Sequence, residues 1–198
     1  MPKSEEQCKK IRQKTRTKIL NDSILYFAKN GFSGTKISDL AKHIGIAQGT
    51  MYIYFKSKEE LFNEIYMISN NSKDFKDLRV LSNLPISSKK KIQLLSEDII
   101  NKLNKDNTFS SSIALSTQMM FEKEKYSSID TTYQSELYHI TMKIVQQGQK
   151  EGSIVQGTPM KLVDYYWGVV YLYALKKLFT SEYESISSED LARILIKD

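Results

Sequence analysis

Thr35 to Phe55, TKISDLAKHIGIAQGTMYIYF, decides the fold. It divides into two short helical segments with a tight turn between them. Ile37, Leu40, Ala41 and Ile44 recur at i, i+3, i+4 and i+7, one apolar helix face. Thr35 stands before that face as an N-cap, its hydroxyl able to accept a bond from an orphan N–H. Gly45 follows the last apolar residue, where helices often end in a left-handed conformation. A few residues later a second helix begins, with Met51, Tyr54 and Phe55 as its inward face. Two crossed helices joined by so short a turn form a helix-turn-helix, which places its second helix in the DNA major groove. Double-stranded DNA is therefore the leading partner.

Charge points the same way. Residues 1–60 carry 12 Lys/Arg against 6 Asp/Glu, whereas the rest of the chain carries 17 of each sign. All the excess positive charge sits with the helix-turn-helix. It can be read as a phosphate-attracting footprint or as a lysine-rich solvated surface. The asymmetry between the two parts favours the phosphate reading.

Length and composition bound the rest. The 198 residues, 40% of them hydrophobic, suffice for a packed core. No apolar run reaches the roughly 20 residues that span a bilayer, and MPKSEEQCKKIRQKTR lacks the apolar core of a signal peptide. Cys8 is the only cysteine, which excludes an internal disulfide and fits a reducing cytoplasm. It reads as an incidental thiol in a frayed tail. One cysteine and two isolated histidines make no zinc site. No nucleophile motif, phosphate loop or dinucleotide fingerprint is present. Neither an enzyme nor a cofactor is expected, and no membrane partner.

Elsewhere the pattern is helical, with three prolines and eight glycines in all. A first helix is expected over about Ile11 to Asn30, ended by Gly31. Ser57 and Glu60 form a capping box that opens a long helix to about Lys76. LSNLPISS, Leu81 to Ser88, is a loop. Further helices follow over about Ile92 to Leu103, Phe109 to Phe121 and Asp130 to Glu151. Another begins after Thr158-Pro159, a cap followed by proline in the first helical position. The last opens near Ser187 or Ser188. The expectation is an all-α chain of about nine helices. Residues 1–56 form the DNA-binding domain, with the helix-turn-helix at about 36–55, and 57–198 a second helical domain.

From Arg16 to Tyr66 the chain resembles the TetR family of bacterial transcriptional regulators. The residues that carry this are Ile19-Leu20, Phe27, Gly31-Phe32, Thr35, Ile37, Leu40-Ala41, Gly45-Ile46, Gly49-Thr50, Tyr52, Tyr54-Phe55, Lys58 and Glu60-Leu61-Phe62. QGQKEGSIVQGTP, Gln147 to Pro159, resembles the turn before that family's penultimate helix. The resemblance implies a homodimer with three DNA-binding helices and a helical ligand-binding and dimerisation core. It also implies DNA contacts at Gln48, Thr50 and Tyr52 and a phosphate clamp at Lys58. Ala47 departs from the Ser or Thr usual before the recognition helix and forfeits a cap of typically ~1 kcal/mol. Ser23 replaces a small apolar residue.

The chemistry of the DNA face follows from residue types. Gln48 both donates and accepts, as adenine readout needs. Gly49 lets the backbone approach closely. Thr50 can bond a base or touch a thymine methyl. Tyr52 projects away from Met51 and Phe55, and its hydroxyl can reach phosphate or simply face solvent. Thr35 and Lys36 are further phosphate candidates, with Thr35 alternatively only a cap. His43 reads as a solvent-facing residue.

The helix after Pro159 is apolar nearly all round, so it is buried on more than one side. A partner subunit is expected to cover the second side at Val163, Tyr166, Val170 and Ala174, together with Leu191, Ile194 and Leu195 of the last helix. A small-molecule pocket is expected among Phe109, Gln118, Met119, Phe121, Tyr133, Tyr138, His139, Met142, Trp167 and Tyr171, aromatic walls with few polar groups; ordinary core packing is the alternative for each. The resulting expectation is a cytoplasmic homodimeric repressor, released from a near-palindromic operator by a small-molecule effector. The helix after Ser57 would act as lever. The alternative is a DNA-bound scaffold that recruits a protein and senses no small molecule.

Overall fold

The computed structural model describes residues 5–69, 73–105, 107–121 and 135–197. It is all-α, with ten helices among the described residues: α1 (Glu5–Asn30), α2 (Ile37–Ile44), α3 (Gln48–Tyr54), α4 (Lys58–Ser69), α5 (Lys73–Asn83), α6 (Ser88–Lys105), α7 (Asn107–Phe121), α8 (Glu136–Glu151), α9 (Pro159–Phe179) and α10 (Ser188–Arg193). The chain forms two compact units, Met1–Ser69 and Asn70–Asp198. The expected division after residue 56 therefore lies one helix before the division in packing, because α4 packs on α1.

In the first unit, α1 begins at Glu5, six residues earlier than the apolar spacing suggests. Ile19, Leu20, Ser23, Ile24, Phe27 and Ala28 form its buried stripe. Cys8 is exposed on helix, not in a frayed tail. Phe27, Phe32 and Phe62 join α1, the following turn and α4. The Phe27 ring meets Phe62 edge-on at 5.2 Å, and Phe32 lies 4.6 Å from Phe62. Gly45 adopts φ 78° and closes α2, its N–H donating to the carbonyls of Ala41 and Lys42, as the left-handed cap requires. Ser57 caps α4 by accepting from the Glu60 N–H at 3.1 Å, while the Glu60 carboxylate accepts from the Lys56 N–H at 2.5 Å. This is the capping box closed one residue further back.

In the second unit, α8 and α9 pack together, with α5, α6, α7 and α10 against them. The long helix expected to about Lys76 is described as α4 and α5, with residues 70–72 outside the described ones. The α5–α6 loop is shorter than expected because α5 continues to Asn83. The core holds Ile92, Leu95 and Ile99 of α6, Tyr138 and Ile144 of α8, Val163, Tyr166, Val170 and Ala174 of α9, and Leu191 and Leu195 at the end. Two polar pairs cross its helices: Ser96 Oγ lies 2.9 Å from Tyr166 Oη, and Trp167 Nε1 donates to Thr141 Oγ1 at 3.2 Å. Lys91 is buried yet bonded, its ammonium donating to the Ser82 carbonyl at 2.7 Å and to Gln147 Oε1 at 2.8 Å. Gly148 sits where an added Cβ would come within 2.5 Å of Ile154 and 2.9 Å of Ser88, so only glycine permits that approach. The segment after α8 is tied to the C-terminal end by an antiparallel bridge between Ile154 and Ile196.

The dimer residues expected from sequence are corrected here. Val163, Tyr166, Ala174, Leu191 and Leu195 are 0% exposed and Val170 is 1% exposed in the single chain, and Ile194 packs half-buried on the same core. A side chain with no surface left has nothing to offer a partner. The outward stripe of α9 is instead Lys161, Tyr165, Gly168, Leu172 and Phe179; Tyr165, Leu172 and Phe179 are 60%, 47% and 54% exposed.

Burial also sets an alkaline limit. It pushes the hydroxyls of Tyr138, Tyr166 and Tyr171 up, with Asp164 adding to the effect at Tyr138 and Tyr171 and the Ser96 bond opposing it at Tyr166. The folded chain holds these protons where the unfolded chain loses them, at about pH 10. The stability they contribute is complete below about pH 10 and falls as pH rises beyond it. In an alkaline titration, part of the tyrosinate absorbance should rise only with loss of helical circular dichroism. Full ionisation with helicity retained would mean that these hydroxyls reach water in the folded state.

Candidate nucleic-acid interface

The surface of the first unit is organised around α3. Met51 and Phe55 point inward, 1% and 3% exposed. The opposite side presents Gln48 and Gly49, with Tyr52 at 49% and Ile53 at 66% exposure. Thr50 and Tyr54 are half-buried. A Cβ built on Gly49 meets nothing within 4 Å. Among the described residues no neighbour requires a glycine there. Ala47 holds the N-cap position with no side-chain cap, which leaves the first N–H groups of α3 without the bond a Ser or Thr would make.

Three cations fix this helix in place. Lys18 of α1 donates to the Ile44 carbonyl at 3.0 Å and so covers the C-terminal end of α2 at the turn into α3. Arg16, two residues earlier and on another face of α1, forms a bidentate pair with Glu64 of α4, and its guanidinium lies 5.0 Å from the Phe55 ring centroid at the end of α3. Lys58, first residue of α4, donates to the carbonyls of Phe32 and Thr35, both at 2.9 Å, with its ammonium 4.2 Å from the Phe32 ring centroid. Beside it, hydrogen bonds from its own backbone N–H and from Ser57 hold the Glu59 carboxyl below the usual carboxylate range.

The expected contact residues therefore separate. Lys36, Gln48, Gly49 and Tyr52 are exposed, and Lys36, not Thr35, occupies the N-cap position of α2. Thr35 is corrected: it is 2% exposed, and its hydroxyl donates to the Gly31 carbonyl at 2.7 Å. It serves the turn and has no free face for phosphate. Lys58 is turned to backbone carbonyls. Ile53, which the sequence reading did not single out, is the most exposed large apolar side chain among the described residues. Its signal was present: a large apolar side chain four residues after Gly49, off the Met51–Phe55 face.

In the second unit the expected pocket residues divide too. Phe109, Met142 and Tyr171 pack half-buried on the core, and Trp167 and Tyr138 are inside it. His139 is corrected to an exposed position on α8. The side chains of Gln118, Met119 and Phe121, and Tyr133 altogether, lie outside the described residues. An open groove of about 460 Å³, lined by Gln146, Gln149, Lys150, Gln156 and Pro159, includes none of the expected residues. Among the described residues there is no cluster of metal-ligating side chains, and no helix is long and apolar enough to cross a membrane.

Residues 19–65 match the family model described as bacterial regulatory proteins, tetR family. The HTH-type transcriptional regulator AcrR of Shigella flexneri is 37% identical over 60 residues, 30% of this chain and 28% of the relative. The negative transcriptional regulator IcaR of the icaADBC biofilm operon of Staphylococcus aureus is 28% identical over 69 residues, 29% of this chain and 37% of the relative. The chain thus spans well under half the length of these curated relatives. The solved structure of the ketosteroid transcriptional regulator KstR2 of Mycobacterium tuberculosis aligns with a TM-score of 0.71 at 15% identity, over 93% of this chain and 96% of that one. At that identity the likeness is one of fold.

Proposed function

The chain carries the N-terminal domain of the tetR family over residues 19–65, and from that premise we propose that it is a homodimeric transcriptional repressor released from DNA by a small molecule. The observation that carries the reading is the outward face of α3. Gln48, Gly49, Tyr52 and Ile53 stand free on the most basic part of the chain, on a helix whose inner side is locked by Met51 and Phe55. Such a helix enters the major groove with Gln48 toward adenine edges, Tyr52 toward phosphate and Ile53 toward thymine methyls. Lys36 adds a phosphate contact at the start of α2. The DNA-contacting part ends near residue 56. From there α4 is the covalent route to the second unit, and the protein works in the cytoplasm.

Dimerisation uses the outward stripe of α9. Tyr165, Leu172 and Phe179 are large apolar side chains in one row, with Gly168 between them allowing a close approach. An effector site among Phe109, Met142 and Tyr171 is supported by Ser110, on the same turn of α7 as Phe109. Its buried hydroxyl has no hydrogen-bond partner among the described residues, a polar group that a ligand would satisfy. IcaR, a negative regulator by name, supports repression. The effector releases DNA by its differential affinity for a state with misaligned recognition helices.

The test is binding of the full chain to the DNA upstream of its own gene, against a scrambled duplex, at about 150 mM salt, where nonspecific binding is weak. A preference of about a thousandfold or more is expected. Equal affinity for both, repeated with fragments selected from the whole genome, would defeat the reading.

Ile53 carries a narrower expectation. Ile53→Ser should weaken binding to the selected site by about 1 kcal/mol, roughly fivefold, with stability unchanged to within about 0.5 kcal/mol because the side chain is exposed. Replacing thymines by uracils in the site should weaken wild-type binding and leave the variant unaffected. An equal response of both proteins would remove Ile53 from the thymine-reading set.

A further inference from the structure

The N-terminal half of α1 is unexplained by the packing of its own unit. Residues 5–14 are all exposed, and the buried stripe begins only at Ile19. Ten helical residues extend about 15 Å, without a core to support them. They carry Lys9, Lys10, Arg12 and Lys14 against Glu5 and Glu6. Glu6 pairs with Lys10 at 3.0 Å; Lys9, Arg12 and Lys14 make no ion pair among the described residues.

The direction of this segment follows from its two anchors. Lys18 is bonded to the turn before α3, and Arg16 lies against Phe55 at the end of α3. Helix spacing places Lys14 one turn before Lys18 on the same face, and Arg12 and Lys9 one and two turns before Arg16. The same two faces that hold the ends of α3 therefore continue outward as two rows of cations, Lys14 and Lys10 on one and Arg12 and Lys9 on the other, of which Lys10 alone is paired. A duplex lying on α3 would have its phosphates next to those rows.

We propose that residues 5–14 of α1 form a second DNA-contacting element that lies on the phosphate backbone beside the groove entered by α3. This rests on the DNA reading above. The occupant is set by charge: a regular row of cations on an otherwise unused helix matches the regular anionic charge of a duplex. The element makes no base contact. It lengthens the footprint and raises affinity for every sequence alike, while α3 carries the discrimination.

The test uses the full chain and a scrambled duplex of about 40 base pairs, so it does not depend on knowing the operator. Lys9→Gln, Lys10→Gln, Arg12→Gln and Lys14→Gln are combined in one variant. Glutamine keeps the helix propensity of lysine, and circular dichroism checks that the helix persists. A control variant neutralises four exposed lysines of the second unit that lie off the outward stripe of α9, Lys89, Lys90, Lys105 and Lys150. Each phosphate contact contributes about 0.9 to the slope of log affinity against log salt. The α1 variant should lose roughly two to four units of slope per chain and more than tenfold in affinity at low salt, and the control less than one unit. Equal losses in both variants would reduce α1 to net charge and overturn the proposal, as would no loss in either. Wild-type binding to phosphatidylserine vesicles, abolished in the α1 variant with the DNA slope unchanged, would reassign the segment to a lipid surface. Failure of the regulator reading shows separately, as absence of any preference for the upstream fragment in the wild type.

Discussion

Val170→Asp should unfold the second unit, whereas Leu172→Asp should leave it folded and convert a dimer into a monomer. The two residues are two positions apart on α9 and similar in chemistry. Their surroundings differ: Val170 is 1% exposed, inside the core with Tyr166, Ala174 and Leu191, and Leu172 is 47% exposed on the outward stripe. A carboxylate at Val170 would be buried among the apolar side chains of that cluster, at a cost of several kcal/mol. Domains are stable by about 5–15 kcal/mol, so that cost consumes most or all of the margin. At Leu172 the carboxylate faces water in the single chain, and stability should change by no more than about 0.5 kcal/mol. In a two-fold interface, however, the outward stripe meets its own copy and the two new carboxylates stand near one another in a desolvated contact. Urea titration followed by circular dichroism reads the first effect, and sedimentation velocity the second. A folded monomer from Val170→Asp would restore the interface expected from the sequence. A dimer that survives Leu172→Asp would take the outward stripe out of the interface.

That contrast marks where sequence stopped being informative. The helix-turn-helix was legible because its signals are local: an i, i+3, i+4, i+7 face, a glycine in the left-handed region at Gly45, and a short turn, each acting within about one helical turn of itself. Gln48 and Gly49 were placed by their position at the start of the second helix, and Tyr52 by its projection away from Met51 and Phe55. α9 was not legible in this way. Valine, leucine and tyrosine surround it on every side, and a period of 3.6 says which residues share a face but not whether the chain or a partner covers that face. Only the positions of α6, α7, α8 and α10 settle which side is occupied. Thr35 failed for a related reason. A threonine before a helix can cap it or bond backward, and the Gly31 carbonyl, four residues earlier, decides between the two only once the turn exists. Ile53 was overlooked because an isoleucine off the inward face of a short helix carries no hydrogen-bonding group to mark it as a DNA contact. The helical start of α1 was missed because no apolar spacing announces a helix that buries nothing.

Lys58→Ala separates two readings of one cation. On sequence, Lys58 is a phosphate clamp just past the recognition helix. Its loss would then weaken DNA binding uniformly, reduce the salt slope by about 0.9 and leave stability alone. In the fold, its ammonium donates to the carbonyls of Phe32 and Thr35 and lies over the Phe32 ring. It ties the start of α4 to the turn from which α2, and then α3, departs. Hydrogen bonds from a charged donor contribute about 1.5–3 kcal/mol each, and a partly exposed cation over an aromatic face about 0.5–1 kcal/mol. Water can replace part of this at a half-buried site, so the expected loss is about 2–3 kcal/mol, felt by the first unit. Hydrogen exchange on the full chain reads it there: protection of the α2 and α3 amides should fall by roughly the corresponding 30- to 150-fold. DNA affinity should fall with it, because a recognition helix that is locally open most easily is no longer preorganised. Lys58→Arg sharpens the distinction. It keeps the charge that a phosphate needs, but a planar guanidinium does not reproduce an ammonium directed at two carbonyls from within a turn. Arginine should therefore leave the salt slope where alanine leaves it, unchanged, and should not restore protection. Full protection in Lys58→Ala, together with a slope lower by about one unit, would return Lys58 to the phosphate.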